Sequence, residues 1–281
     1  MIAWFGAGRM GSAFVERLAS LGEAVVAYNR TFEKAKALER FGARAVADPR
    51  EAAAGAAQLH IMLTDDAAVD ALLETLAGAI EPGAVVIDHS TVAPALVMER
   101  AARLASRGVQ FLHGPVMMSP PMVRAGAGVM LVAGPQETFD AVRENLHKLA
   151  PDVWYLGVTP HKAATMKLFG NEVLISALAG LADGLALARG GGIAPSEALE
   201  LLGHFRLQGG LESRGKKMAE GDFAPLFELV TARKDVRLML ESARNGAVLL
   251  HFLPAIAERM DRLIERGFGA DDLSVLGREE T

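Results

Sequence analysis

The chain has 281 residues, 51% of them apolar and 22% charged, with 29 Lys and Arg against 34 Asp and Glu for a formal charge of −5. That balance excludes a disordered or fibrous chain and lacks the basic excess expected of a nucleic-acid binder. Cysteine is absent, which excludes disulfides, thiolate catalysis, iron–sulfur ligation and cysteine-based zinc sites.

The length suits two domains of about 100–200 residues each. Short apolar runs bounded by Gly, Asp or Asn predict buried parallel strands at residues 2–5, 24–28, 59–63 and 84–87, and further on at 109–112, 129–132 and 153–156. Segments of helical period lie between the early runs, at 10–21, 31–41, 67–76 and 94–106. Strand–helix–strand alternation at this spacing predicts a doubly wound α/β domain. After residue 157 the strands stop, and 161–189 reads as one continuous helix of about 43 Å at roughly 1.5 Å per residue. Gly190-Gly191-Gly192 ends it, and helices are expected at 195–202, 226–245 and 252–266. The expected organisation is an α/β domain over 1–160 and an all-helical domain over 161–281, joined by the long interdomain helix. No internal repeat is visible. The best apolar stretch for a membrane span, 173–182 between Glu172 and Asp183, is shorter than the about 18 residues required, so no membrane span is expected. Arg9 interrupts the apolar start, so no signal peptide is expected, and a cytoplasmic location follows as an expectation.

Gly6-Ala7-Gly8-Arg9-Met10-Gly11 fits G-x-G-x-x-G directly after a predicted strand and at the opening of a predicted helix. In that context Gly6 makes the tight turn, Gly8 lets a pyrophosphate approach the backbone, and Gly11 lets the helix pack on the strand. The amides of Arg9 and Met10 would face the phosphates at the positive end of the helix. A glycine-rich turn that merely packs well is the competing reading. The first domain is therefore expected to be a Rossmann-type dinucleotide-binding domain with a mainly parallel sheet.

The second strand ends in Tyr28-Asn29-Arg30-Thr31 and carries no Asp or Glu for the two ribose hydroxyls of NAD. Arg30 offers a planar cation for a 2′-phosphate, and Asn29 and Thr31 add neutral hydrogen bonds. The expected cofactor is NADP, with NAD less favoured. The alternative is a solvated Arg30 and a Thr31 that only caps the next helix.

With these residues in place, the chain resembles the β-hydroxyacid dehydrogenase family, which includes 3-hydroxyisobutyrate dehydrogenases and tartronate semialdehyde reductases. 6-Phosphogluconate dehydrogenase and the imine reductases have related folds. The resemblance covers nearly the whole chain. It rests on the glycine loop with Asn29-Arg30-Thr31, on Met62-Leu63-Thr64-Asp65-Asp66, on Asp88-His89-Ser90-Thr91-Val92-Ala93-Pro94, on Lys167 with Asn171, and on Lys234-Asp235. It implies that Leu63, Thr64 and Thr91 contact the cofactor, with Thr91 near the nicotinamide, and that Ser90 lies close to the substrate. It further implies that Lys167 is the acid/base residue, that Asn171 orients the substrate, and that Lys234 reaches the cofactor from the helical domain. A homodimer or homotetramer is implied as well.

One motif departs from the family. In place of Asp-Ala-Pro-Val-Ser-Gly-Gly the chain has His113-Gly114-Pro115-Val116-Met117-Met118-Ser119-Pro120-Pro121. Met117, Met118 and Ser119 stand at the Ser-Gly-Gly positions, and two prolines remove amide donors. Met118 and Ser119 are the candidate substrate contacts there. A carboxylate held by Ser119 or another donor, and an aldehyde, ketone or imine with an apolar arm, are both open.

Hydride transfer to a carbonyl leaves negative charge on oxygen that a proton must neutralise. A lysine suits that task if burial lowers its pKa. Lys167 and Asn171 are four residues apart and share one helical face. The competing reading makes Ser90 and Thr91 helix caps and Lys234-Asp235 a surface ion pair. No two of the seven histidines stand at metal-ligand spacing, and neither a G-x-S-x-G elbow nor a Walker A pattern occurs. No metal is expected, and Met117, Met118 and Met122 read as loop packing. The sequence thus predicts an NADP-dependent oxidoreductase interconverting a small β-hydroxyacid or hydroxy compound and its semialdehyde or ketone. An imine reductase, and a non-catalytic NADP-binding sensor, are the alternatives.

Overall fold

The computed structural model describes residues 1–204 and 207–279, and its contacts divide the chain into two units, Met1–Glu172 and Val173–Thr281. The first unit opens with β1 (Ile2–Phe5), α1 (Arg9–Ser20), β2 (Val25–Tyr28), α2 (Phe32–Lys36), β3 (Arg44–Val46) and α3 (Pro49–Ala53). It continues with β4 (Gln58–Ile61), α4 (Asp66–Thr75), β5 (Val85–Asp88), α5 (Pro94–Ala105) and β6 (Gln110–His113). These six strands form one all-parallel sheet in the order β3-β2-β1-β4-β5-β6, the doubly wound order that opens a ligand crevice where the chain reverses direction beside β1.

The alternation of side chains along each strand builds two cores. On one face Trp4 and Ile87 pack with Phe14 and Leu18 of α1. On the other, Ala3, Phe5 and Ile61 pack with residues of α3, α4 and α5, among them Leu73 and Leu104. Both faces are covered, so the strands read as continuous apolar runs instead of alternating ones. Helix starts are fixed locally: Asp65 accepts the Ala68 amide at 2.8 Å, Asp48 accepts the Arg50 amide at 2.9 Å, and Pro94 opens α5.

Beyond β6 come β7 (Val116–Met117), α6 (Pro120–Arg124), β8 (Val129–Val132), α7 (Gln136–Leu149) and β9 (Asp152–Tyr155). The late strands do not extend the main sheet in parallel. They form a second sheet, β7-β8-β9, in which β7 and β8 are antiparallel. The expected helix over 31–41 is also interrupted. It breaks into α2 and a 3₁₀ turn at Glu39–Phe41, which ends on Gly42 at a φ of 97°.

The helix α8 (His161–Gly190) follows. Ala163 and Ala164 in its first turn are buried in the cores of the first unit. Among the described residues α8 is the helix long and apolar enough to cross a membrane, with a mean hydropathy of 1.5 over its best window. The expected shortfall in length therefore does not hold: the apolar run continues past Asp183 toward the end of the helix, and one carboxylate within it does not bring the average below that of a spanning helix.

The second unit contains α9 (Pro195–His204), α10 (Leu207–Glu220), α11 (Leu229–Asn245) and α12 (Leu253–Leu263). Its core joins Leu229, Ala232 and Val236 of α11 to Met260 and Leu263 of α12. Two buried carboxylates organise it. Asp183 accepts the amides of His251, Phe252 and Leu253, each at 2.8 Å, and so caps α12. Asp272 accepts those of Leu226, Phe227 and Ser274, each at 3.0 Å. Burial opposes the charge on each, but the amides outweigh it and hold the Asp183 carboxyl below the usual range and the Asp272 carboxyl well below it.

Candidate active site

Gly6-Ala7-Gly8 is the turn between the end of β1 and the start of α1. Gly6 takes a φ of 110°, and a Cβ there would stand 2.1 Å from the carbonyl oxygen of Met62. At Gly11 a Cβ would stand 1.9 Å from the carbonyl oxygen of Gly6. Both positions admit only glycine. Gly8 differs, because its Cβ would meet nothing within 4 Å. Open space above bare backbone at a helix N-terminus with no acidic residue in its first turn suits a pyrophosphate, so the residues present fit a dinucleotide.

Asn29 does more than end β2. Its Oδ1 accepts the Ala7 amide at 3.0 Å and its Nδ2 donates to the Thr31 carbonyl at 2.9 Å, so the side chain ties the glycine loop to the tip of the second strand. Thr31 stands at the N-cap of α2, yet its side chain makes no capping bond. Arg30 is exposed and lines a cavity of about 460 Å³ together with Tyr28, Asn29, Thr31, Lys34 and Thr64. The nearby Asp65 carboxyl is held below its usual range, first by the Ala68 amide, then by the Thr64 hydroxyl, with the Arg30 charge a smaller contribution.

The ends of β4 and β5 meet beside this loop. Ser90 is 2% exposed; its Oγ accepts the Leu63 amide at 3.0 Å and its own amide donates to Asp88 Oδ1 at 2.9 Å. Ser90 thus pins the Leu63 segment, while Thr64 and Thr91 are exposed. Burial pushes the Asp88 carboxyl up to about 6, against the pull of Ser90 and Arg100. The Arg100 side chain is fully buried and bridges Asp66 at 3.1 Å and Asp70 at 3.0 Å, tying α5 to α4 behind the site.

Lys167 stands two turns into α8, half-buried. Its Nζ donates to Asn171 Oδ1 at 3.0 Å and lies 3.5 Å from the thioether sulfur of Met117. The (i, i+4) pair therefore forms as the spacing predicts, and burial lowers the lysine pKa from its ordinary value. Met117 at the end of β7 was not singled out from sequence as a contact of Lys167. Its methyl carbon lies against α8, 2.8 Å from where a Cβ on Gly170 would be. Gly170, three residues after Lys167, is the local feature that gives the Met117 side chain its place against α8.

The remaining candidates are placed as follows. Met118 is half-buried and packs against the core behind α1, and Ser119 is exposed at the N-cap of α6 with no side-chain capping bond. Lys234 lies on α11 in the second unit, exposed, with Nζ 2.9 Å from Asp235. No cluster of metal ligands occurs among the described residues.

Residues 1–157 match the family described as the NAD binding domain of 6-phosphogluconate dehydrogenase, and residues 162–278 match that described as the NAD-binding domain of NADP-dependent 3-hydroxyisobutyrate dehydrogenase. An uncharacterized oxidoreductase of Bacillus subtilis, YfjR, is 30% identical over 98% of both chains. The 2-(hydroxymethyl)glutarate dehydrogenase of Eubacterium barkeri is 25% identical over 98% of this chain and 93% of that one. Among solved structures, a reductive aminase from Aspergillus terreus is 26% identical, with a TM-score of 0.89 over 98% of this chain and 97% of that one. With a glycine loop shaped for a dinucleotide and a lysine–asparagine pair on α8, the chain belongs to the β-hydroxyacid dehydrogenase family and is an NAD(P)-dependent dehydrogenase or reductase.

Proposed function

We propose that the protein interconverts a small hydroxy compound of the β-hydroxyacid class and its semialdehyde or ketone, with NADP as cofactor and Lys167 as general acid and base. The observation that carries this is the Lys167–Asn171 pair, a partly desolvated amine with a fixed partner. An ammonium has three N–H donors. Asn171 Oδ1 takes one and the Met117 sulfur weakly engages a second, which leaves the third for a substrate oxygen. In the reductive direction that N–H gives its proton to the carbonyl oxygen as negative charge gathers there; in the oxidative direction the neutral amine removes the proton from the hydroxyl. The Nδ2 of Asn171 is left to donate to the substrate and orient it. NADP, when bound, supplies or accepts the hydride.

Gly6, Ala7, Gly8, Arg9, Met10 and Gly11 would cradle the pyrophosphate. Arg30, with Lys34 beside it in the same cavity and no carboxylate at the tip of β2, would hold the 2′-phosphate. Leu63, Thr64 and Thr91 would border the cofactor, Ser119 would serve the substrate, and Ser90, buried, would act through the Leu63 segment it holds. Phe169, Ile175 and Leu178 of α8 are 62%, 65% and 56% exposed, which supports burial against a second copy in a homodimer or homotetramer.

A second reading is reduction of an imine. It is favoured by the thioether of Met117 beside Lys167 and by the reductive aminase, which was solved with cyclohexanone and allyl amine. The test follows NADPH oxidation against short aldehydes, 2-ketones, 3-oxoacids and cyclic imines, for the wild type and Lys167→Ala. The first reading expects turnover of a carbonyl and a loss of at least about a hundredfold in Lys167→Ala with NADPH affinity unchanged. Turnover of imines alone, or normal turnover by Lys167→Ala, overturns it.

A further inference from the structure

Behind the glycine loop three near-parallel rings pack together in the core. Trp4, His60 and His89 are 0%, 1% and 2% exposed. Trp4 lies 5.2 Å from His60 and 5.7 Å from His89 between ring centroids, and His60 lies 5.2 Å from His89. Each ring also has a polar task. Trp4 Nε1 donates to the Gly6 carbonyl at 3.1 Å. His60 Nδ1 meets His89 Nε2 at 2.9 Å, and His89 Nδ1 meets the Gly114 carbonyl at 2.6 Å.

Chemistry fixes the direction of this chain. A carbonyl only accepts, so His89 Nδ1 carries the hydrogen. Burial keeps the His89 ring neutral by pushing its pKa down to about 4, so Nε2 is bare and accepts from His60 Nδ1–H. His60 is held neutral in the same way, well below its ordinary value, so its Nε2 is bare; Gln58 Oε1 stands 3.2 Å from it, and exchanging the oxygen and nitrogen of that amide, which have the same shape, supplies the donor. Both imidazoles are thereby held in the Nδ1–H form.

The acceptor at the end of the chain is the corner that leads to Lys167. The Gly114 amide donates to the Asp88 carbonyl at 2.7 Å, so both sides of the residue are pinned. A Cβ on Gly114 would lie 3.3 Å from His89 Nδ1, which shows how closely the ring presses on that backbone. Three residues later Met117 places its sulfur 3.5 Å from Lys167 Nζ. We propose that His89 is a positioning residue: through its Nδ1–H bond to Gly114 it seats the Pro115–Met117 segment against Lys167 and, through its stack with Trp4, ties that segment to the dinucleotide loop. The inference deepens the assignment of Lys167 and rests on it for its catalytic meaning, but its geometry is testable without turnover.

Two measurements decide it. The first is ¹⁵N NMR of the histidine rings in the wild type. Expected is a neutral His89 with hydrogen on Nδ1 from pH 5.5 to 8; hydrogen on Nε2, or titration near pH 6.5, overturns the proposal. The second is competitive labelling of lysines with acetic anhydride across pH, read peptide by peptide by mass spectrometry. In the wild type Lys167 should become reactive at lower pH than the exposed lysines. His89→Phe keeps a ring against Trp4 and removes the donor, so the Pro115–Met117 segment loosens, water reaches Lys167, and its midpoint moves up by about one pH unit. His89→Asn restores an N–H near the position of Nδ1 and should restore the midpoint. An unmoved midpoint in His89→Phe overturns the proposal. So does a midpoint in His89→Asn that stays with His89→Phe while NADPH binding shows both variants folded. Normal turnover by Lys167→Ala would instead reject the acid/base assignment and leave these two readouts standing.

Discussion

The three glycines of the first loop should respond in different ways to the same added methyl group. At Gly6, alanine meets a φ of 110° and places its Cβ 2.1 Å from the Met62 carbonyl oxygen. The backbone conformation costs about 1–2 kcal/mol and the overlap a further 1–3 kcal/mol or so. At Gly11 the helical backbone is permissive, so only the overlap with the Gly6 carbonyl, 1.9 Å away, is added. At Gly8 the φ is −74° and no atom lies within 4 Å of the new Cβ. Alanine there should leave stability unchanged or raise it by about 0.4–1 kcal/mol through the unfolded chain. Melting without cofactor should therefore place Gly8→Ala at or slightly above the wild type, Gly11→Ala below it, and Gly6→Ala lowest, with each kcal/mol moving the midpoint by about 2–4 °C. Titration with NADPH should reverse the standing of Gly8→Ala: the methyl occupies the approach of the pyrophosphate, and affinity should fall by at least about tenfold, or about 1.4 kcal/mol. A Gly8→Ala protein that binds NADPH like the wild type, or that melts as low as Gly6→Ala, would refute this account of the loop.

Other outcomes follow from neighbouring residues. Arg30→Asp should weaken NADPH far more than NADH, since only the former carries the 2′-phosphate; equal losses in a binding titration would remove Arg30 from that role. Asn29→Ala breaks the bond to the Ala7 amide, 3.0 Å in the wild type, and should cost about 1 kcal/mol of stability together with affinity for both cofactors, measured by melting and titration. Stability should also depend on acid. Burial pushes His89 and His113 down to about 4 and about 3 and lowers His60 as well, so their contribution is complete above the unfolded value of about 6.5 and is lost as pH falls toward the folded ones. Asp88, raised to about 6, acts in the opposite sense: its contribution is complete below the unfolded value of about 3.9 and is lost as pH rises through 6. Near pH 5, unfolding then adds a proton to each of His89 and His113 and releases one from Asp88, a net uptake of about one, and His60 acts in the same sense as the other histidines. Stability should rise by at least about 1.4 kcal/mol per pH unit there, and urea midpoints flat between pH 4.5 and 6 would contradict it.

What the sequence discloses depends on how local the cause is. The glycine loop is legible because each glycine answers to a neighbour within a few residues or to the adjoining strand, and strand–turn–helix punctuation fixes the rest. Lys167 and Asn171 are singled out by the resemblance to the family, and their spacing of one turn on one helix then makes their pairing legible. By contrast β3 and α3 have only three and five residues, too short to establish a period. Glycines at 209, 210 and 215 obscure α10, although it forms. The antiparallel pairing of β7 with β8 cannot be read from two residues.

The contacts around the lysine are hidden for a deeper reason. Met117 reaches Lys167 across 50 residues of chain, and His60 reaches His89 across 29. Neither pair is announced by spacing, and a buried histidine on an apolar strand reads first as packing. Only the polar accounting of the fold distinguishes the two. Gly114 offers a carbonyl in the core, His89 is the group beside it with a hydrogen to give, and the neutral form of that ring then demands a donor from His60. Resemblance and local pattern thus supply the lysine and the loop, while the rule that buried polar groups find partners determines how the wall beside the lysine is held in place.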